Sequence, residues 1–201
     1  MQAAGSWSRD AGGVRAGELW DVTLFDRTGR SYGNHAELLG ISPDFEAASG
    51  FVPRTGIVQG SLYNRFSWYG APGAPVEQVT TFFGPTVFWR YDDFSRLRGS
   101  LEGRLEDTWI FNLRGGWGVT AYLSNSHQRF DPPGYADYEV DSAGTPVPFV
   151  IPHGLYNLWG ASLGASTPNR ALAASASAGY AGAPIFAEAA EGRQLDLFLG
   201  A

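Results

Sequence analysis

The chain contains no cysteine and a single methionine among its 201 residues. A disulfide framework and a thiolate metal site are therefore excluded, while the lack of cysteine is compatible with any compartment. No apolar run approaches the roughly eighteen residues of a membrane-spanning helix. Residues 1–15 also lack the basic start and apolar stretch of a signal peptide. If the protein is exported, we expect its signal to lie outside this sequence.

Basic residues are scarce, with 14 Lys and Arg against 20 Asp and Glu, so the net charge is −6. This balance excludes the basic footprint of a nucleic-acid-binding protein. No nucleophile elbow, Walker loop or dinucleotide fingerprint is present. The three histidines, His35, His127 and His153, do not stand in metal-ligand spacing. The sequence therefore predicts no catalytic residue, cofactor or metal, and favours a non-enzymatic role.

Glycine and aromatic residues are abundant instead, with 27 Gly, 7 Trp, 9 Tyr and 13 Phe. Glycine supplies turns, and aromatic residues are enriched in strands, so this is the composition of an all-β protein.

One segment carries the clearest periodicity. From Leu97 to Phe111 the sequence reads LRGSLEGRLEDTWIF, and its charged residues occupy even positions, with Asp107 the one exception. Because successive side chains of a strand point to opposite faces, this predicts a strand with one apolar and one charged face. The leucine spacing also fits a helical face, but Gly99 and Gly103 would each cost a helix about 1 kcal/mol. The segment is long for a soluble strand, whereas a tilted strand needs roughly nine to eleven residues to cross a bilayer.

Similar alternation extends over most of the chain and predicts about nine or ten strands. The predicted strands are one before Arg9, then 19–25, 34–41, 58–68, 77–91, 97–111, 117–124, 149–166, 171–180 and 194–199. Phe82 and Phe88 stand on the polar parity of their strand, so they need room inside the fold or a bulge.

The connections between these strands alternate in length. Those near 26–32, 70–76, 113–116 and 167–170 are short, those near 42–56 and 131–148 are long, and 92–96 is intermediate. Short turns on one side and longer loops on the other are typical of bacterial outer-membrane barrels.

The predicted fold is therefore an all-β, antiparallel, up-and-down transmembrane β-barrel. We expect a single domain over residues 1–201, with no linker, and a partial barrel of about nine or ten strands. Five aromatic residues stand beside predicted short turns, where an interfacial girdle would lie: Trp68, Tyr69, Trp109, Phe111 and Trp117. The alternative is that these rings fill a β core.

Eight charged residues form a candidate polar cluster of the lumen or loops: Arg54, Arg90, Asp92, Asp93, Arg98, Glu102, Arg104 and Glu106. Paired acids such as Asp92 and Asp93 can serve general acid–base chemistry, but beside arginines in a loop they are more often solvated turn residues. The charges of the 97–111 strand could form a transport constriction or a charge ladder that hydrates and braces a barrel interior.

Several phrases of the sequence resemble the C-terminal region of a bacterial family of unknown function. They are DRTGRSYG at Asp26 to Gly33, DFEAASGFVPRTG at Asp44 to Gly56, WYGAPGAPVE at Trp68 to Glu77, and WRYDDF at Trp89 to Phe94. In that family a sandwich domain similar to family 9 carbohydrate-binding modules precedes an outer-membrane β-barrel. The resemblance covers at least Trp7 to about Tyr138, and GFVPRTG is its most specific part. We expect no part of residues 1–201 to form the sandwich domain, which is a departure from the family pattern.

The resemblance implies an outer-membrane location in a Gram-negative bacterium and a link to glycan binding or passage, but no catalytic residue. The expected partners are the lipid bilayer, a glycan and the remaining strands of the full-length protein, with no nucleic acid. Arg54 of the GFVPRTG phrase is expected to brace a loop rather than contact a ligand.

Two other readings of the sequence stay open. The first is a soluble β-sandwich that binds carbohydrate through a groove of Trp68, Trp89, Trp109 and Trp117. The second is part of a glycan-active hydrolase in which Asp92 or Asp93 faces another acid across a cleft.

Overall fold

The computed structural model describes residues 1–10, 13–47, 54–96, 98–130, 135–151, 154–168 and 173–200. Ten long strands and a short hairpin account for most of them. The strands are β1 (Gln2–Asp10), β2 (Gly13–Thr28), β3 (Tyr32–Ile41), β4 (Ile57–Tyr69), β5 (Val76–Arg90), β6 (Glu102–Leu113), β7 (Trp117–Arg129), β8 (Glu139–Ser142), β9 (Thr145–Pro148), β10 (Leu155–Pro168), β11 (Ala173–Ile185) and β12 (Ala190–Gly200). A short helix, α1, spans Tyr91–Phe94, and a 3₁₀ turn spans Phe186–Glu188.

The long strands form one antiparallel sheet of ten strands in the order β1-β2-β3-β4-β5-β6-β7-β10-β11-β12. Each of these ten strands pairs with the next long strand along the chain, so β7 pairs with β10. The strands β8 and β9 form a separate hairpin within the β7–β10 connection. The prediction of an all-β, up-and-down antiparallel fold with about ten strands is confirmed. The outer edges of β1 and β12 are not paired with each other, so the sheet is open.

The strand predicted for Leu97 to Phe111 is shifted. The structure places its start at Glu102 and its end at Leu113, while Leu97 lies outside the described residues. Residues 98–101 belong to the connection that follows α1, so Arg98 is not part of the alternating charged face. The alternation itself holds from Glu102 onward, and β6 with twelve residues is long enough to cross a bilayer at a tilt.

The connections lie at two ends of the sheet, which we name the turn end and the loop end. The turn end carries the short turns at 29–31, 70–75 and 114–116, and the last of these contains Gly115 and Gly116 with φ of 87° and 82°. The loop end carries the long connections 42–56, 91–101 and 130–154. The predicted alternation of short and long connections is therefore present between β2 and β10.

The strand register sorts the side chains onto two faces. The apolar face carries Trp68 of β4, Trp109 and Leu105 of β6, and Leu123 of β7. The polar face carries Thr86, Glu106 and Ser124 in neighbouring register positions, and most of the charged strand residues. Many large side chains of the apolar face stay exposed, Leu105 at 53% and Leu123 at 55% among them. The apolar face is thus an uncovered surface rather than a core.

Among the described residues, no helix is long and apolar enough to cross a membrane.

Candidate functional site

The polar face of β4 to β7 holds two adjoining cavities. The first, the loop-side cavity, has a volume of about 380 Å³ and is lined by residues of β5, β6, β7, β10 and β11. Because side chains from strands this far apart line one cavity, the sheet curves toward its polar face. The second, the central cavity, has a volume of about 330 Å³ and is lined by β4 to β7. Thr86 lines both cavities, so they adjoin, and we refer to the two together as the groove.

Four aromatic residues and one carboxylate line the central cavity: Tyr63, Phe82, Phe83, Tyr122 and Glu106. The rings of Tyr63 and Phe82 lie with their centroids 5.6 Å apart and their planes inclined by 31°. Glu106 accepts a hydrogen bond from the Tyr122 hydroxyl, and Arg104 donates another to the same carboxylate oxygen at 3.0 Å. The negative charge beside the cavity is therefore compensated by a guanidinium on the same strand.

The loop-side cavity has a similar wall. Glu102 and Phe88 line it, and the Arg54 guanidinium donates to the Glu102 carboxylate. The Arg54 guanidinium carbon also lies 5.4 Å from the centroid of the Phe88 ring, within cation–π distance. Arg54 thereby ties the connection before β4 to the polar side of β5 and β6.

A break in strand pairing lies beside the central cavity. Pro85 has no backbone N–H to donate, and the β4–β5 register contains no pair at Gly84 or Pro85. Gly84 lies so close to β4 that an added Cβ would stand 1.7 Å from the Leu62 carbonyl oxygen. Only glycine can lie this close to the β4 backbone. The residues Gly84 and Pro85 therefore determine where the pairing of β4 and β5 is interrupted.

The eight residues of the predicted polar cluster fall into two groups. The structure brings Arg54, Glu102, Arg104 and Glu106 together on the polar face, and Arg90 ends β5 on the same face.

The remaining residues of the cluster lie away from the groove. Asp92 and Asp93 lie in α1, where the Asp93 carboxylate accepts a hydrogen bond from Arg98 at 3.4 Å. Neither aspartate lines the central or the loop-side cavity.

The described residues that follow β3, 42–47, lie over the polar face of β1 and β2. The Glu46 amide donates to the Ser6 hydroxyl at 2.8 Å, and the Phe45 backbone packs against Gly17. A Cβ added to Gly17 would lie 2.2 Å from the Phe45 Cα atom. Much of the GFVPRTG phrase lies outside the described residues.

A second group of ionisable residues lies on the polar face of β2 and β3. His35 stands 3.9 Å from the Asp26 carboxylate and 3.8 Å from that of Glu37. Across the part of the chain that the structure describes, no three His, Cys, Asp or Glu side chains are arranged to hold a metal ion. His153 lies outside the described residues.

Aromatic rings form a row along the turn end of the apolar face, which we name the turn-side row. Its members are Tyr32, Phe66, Trp68, Phe83, Trp109 and Phe111, joined by ring contacts of 4.8 to 6.4 Å. Trp117 begins β7 at the same end. Tyr69 instead falls on the polar face, where its hydroxyl donates to the Arg30 carbonyl at 3.1 Å.

A second aromatic group, the loop-side row, lies at the opposite end of the apolar face. Phe94 of α1 contacts Trp20 at 6.3 Å and Trp89 at 5.5 Å between ring centroids. Each tryptophan covers a glycine of the neighbouring strand, Trp20 covering Gly40 and Trp89 covering Gly60. Trp89 is therefore far from Trp68 and Trp109, and the four tryptophans of the predicted groove do not converge.

The hydroxyl of Tyr91 fastens α1 to the loop-side row. It accepts a hydrogen bond from the Trp20 indole at 3.0 Å and donates one to the Glu18 carboxylate. Burial of the phenol, followed by its bond to Glu18, raises the pKa of Tyr91 above its usual value. The phenol therefore stays protonated, as the bond to Glu18 requires.

Asp107, the exception to the alternation of β6, lies on the apolar face with two donors. Thr81 donates to one carboxylate oxygen and the Trp109 indole to the other, each at 2.8 Å. These hydrogen bonds join the Asp107 carboxylate to the turn-side row. They also offset the free-energy cost of removing the carboxylate from water.

The parity of Phe82 and Phe88 predicted that they need room inside the fold or a bulge, and both residues line the groove. Sequence reasoning missed the other aromatic residues of the polar face. Tyr63 of β4 and Tyr122 of β7 also line the central cavity. Their positions depend on the register between the paired strands, which the sequence analysis did not predict.

No family model, curated protein or solved structure matches this chain. The resemblance to the barrel region of the family described above is not tested by these comparisons and stays a prediction.

Proposed function

We propose that this chain forms a wall of a membrane-spanning β-barrel in a bacterial outer membrane. Its apolar face contacts lipid, and its concave polar face lines a hydrated interior for the passage or docking of a hydrophilic, glycan-related solute. The chain supplies no catalytic group in this role.

The observation that carries the proposal is the separation of the two faces over long strands. A soluble sheet buries its apolar face against another layer. In this chain the apolar face has no such layer among the described residues, and large aliphatic side chains at its centre stay exposed. Lipid is the solvent that makes such a surface favourable.

The two aromatic rows support the same proposal. Val79, which pairs with Trp68 at the turn-side row, and Trp89 at the loop-side row are ten positions apart on β5. This corresponds to about 33 Å along the strand. At the tilt of roughly 40° usual in barrels, the rows stand about 25 Å apart, which matches the apolar band between two aromatic girdles.

The unpaired outer edges of β1 and β12 are consistent with a piece of a barrel. Unpaired backbone groups in hydrocarbon cost several kcal/mol each, so both edges need partner strands in a bilayer. Further strands of the full-length protein, or pairing of the two edges, would supply them.

The test is heat-modifiable gel migration of the full chain refolded in detergent. A membrane barrel resists unfolding at room temperature, so the unheated sample should migrate differently from the boiled one. Refolding without detergent should give aggregate. A monomer that is folded and soluble without detergent would refute the proposal and favour the soluble carbohydrate-binding alternative.

A further inference from the structure

The groove on the polar face contains the same arrangement twice. In the central cavity the ring of Phe82 accompanies Glu106, whose partner Arg104 lines the loop-side cavity. In the loop-side cavity the ring of Phe88 accompanies Glu102, whose partner is Arg54. Both rings lie on β5 and both carboxylates on β6.

The charges in this arrangement are matched locally. Arg104 lies 3.0 Å from the carboxylate of Glu106, which also accepts the Tyr122 hydroxyl, and Arg54 contacts Glu102. Because each carboxylate already has a cationic partner, these pairs offer an ionic ligand no uncompensated charge to bind. The groove therefore favours a neutral ligand over an ionic one.

The remaining lining offers hydroxyl groups beside ring faces. Ser61, Thr86 and Thr108 line the central cavity together with the rings of Tyr63 and Phe82. Hydroxyl groups both donate and accept hydrogen bonds, and aromatic faces pack against apolar C–H surfaces. A sugar ring presents both features, with hydroxyl groups at its rim and C–H bonds on its faces.

The repeat along β6 indicates an elongated ligand. Glu102 and Glu106 are four positions apart, which is about 13 Å along the strand. Thr86 lies in the wall of both cavities, so the two cavities adjoin at this residue. One ligand longer than a single sugar ring can therefore occupy both.

We infer that the polar face of β4 to β7 holds two adjoining subsites for a neutral, linear oligosaccharide, with Phe82 and Phe88 as their aromatic platforms. This inference rests on the proposed function, because it names the solute of the hydrated face.

The experiment is titration calorimetry on the detergent-refolded chain. The neutral probes are maltohexaose, cellohexaose and laminarihexaose, and the anionic probe of similar length is hexagalacturonic acid. We expect saturable binding of at least one neutral hexasaccharide and binding of the anionic probe at least tenfold weaker.

Two phenylalanines on opposite faces of the sheet supply a matched pair of variants. Phe82→Ala removes a platform of the groove and should weaken binding about five- to tenfold. Phe111→Ala removes a ring of the turn-side row, which lies on the apolar face against Trp109 and lines neither cavity, and should leave the affinity within twofold. If Phe82→Ala does not refold, Phe82→Leu removes the ring but loses less volume than alanine does, with the same expectation.

Three results would overturn the inference: no saturable binding of any neutral probe, anionic binding as tight as neutral binding, or equal weakening by both variants. Gel migration of the same samples separates the two claims. A heat-modifiable protein without binding refutes the subsites alone. Binding by a protein that folds without detergent supports the subsites and refutes the membrane role.

Discussion

Trp68 and Trp109 stack in parallel above the strand that separates them, with ring centroids 6.2 Å apart and planes inclined by 2°. Trp68 belongs to β4 and Trp109 to β6, and the intervening β5 presents the smaller side chains of Val79 and Thr81 at these positions. The rings meet because β5 leaves room between them. This contact joins three strands at the turn end of the sheet.

We predict that Trp68→Ala lowers the free energy of unfolding by about 1–2 kcal/mol, since a stacked ring is lost from a half-exposed position. Urea unfolding in detergent, followed by gel migration, measures this value. Trp159→Ala is the control, because Trp159 lies on the same face at 68% exposure and away from the turn-side row. An equal loss of unfolding free energy in both variants would show that the Trp68–Trp109 stack does not contribute to stability.

We predict that Thr81→Val destabilises the fold by about 1–3 kcal/mol, because the Asp107 carboxylate loses a donor away from water. Thr81 is only 3% exposed, so water cannot easily replace its hydroxyl. Thr81→Ser keeps the donor and should cost less than half as much in the same unfolding assay. A Thr81→Ser variant as unstable as Thr81→Val would instead assign the effect to packing.

We predict that Gly17→Ala lowers stability by about 1–3 kcal/mol through overpacking against the β3–β4 connection. The added Cβ would lie 2.2 Å from the Phe45 Cα atom. At Gly5, on the neighbouring strand, the nearest atom to an added Cβ is 3.9 Å away, so Gly5→Ala should change stability by less than about 0.5 kcal/mol. Equal stability of the two variants would contradict the packing of residues 42–47 on the polar face.

The sequence was sufficient to predict the strands whose side chains alternate. The Trp117–Ser124 alternation lies within β7, and the strand predicted for 77–91 differs from β5 by one residue at each end. Each of these strands has one apolar and one polar face, so apolar and polar residues alternate along its sequence. This alternation is visible without knowing which strands pair with it.

Prediction failed where the structure depends on contacts distant in sequence. Arg98 stands on the parity of Glu102, but the chain becomes extended only after the connection from α1 ends. The pairs that form the groove, Tyr63 with Phe82 and Glu106 with Tyr122, depend on register between separate strands. Periodicity within one strand shows which face a side chain takes, but it does not identify the residue that lies opposite on the partner strand.

The most direct test of the two-faced membrane sheet is a single-cysteine scan, which is unambiguous because the chain has no cysteine of its own. Nitroxide labels at successive positions from Leu105 to Thr108 and from Ala121 to Ser124 are measured in liposomes for collision with oxygen, which is enriched in lipid, and with a water-soluble nickel complex. We predict oxygen collisions at Leu105, Ala121 and Leu123, and nickel collisions at Glu106 and Ser124. Equal nickel accessibility at all of these positions would contradict the account.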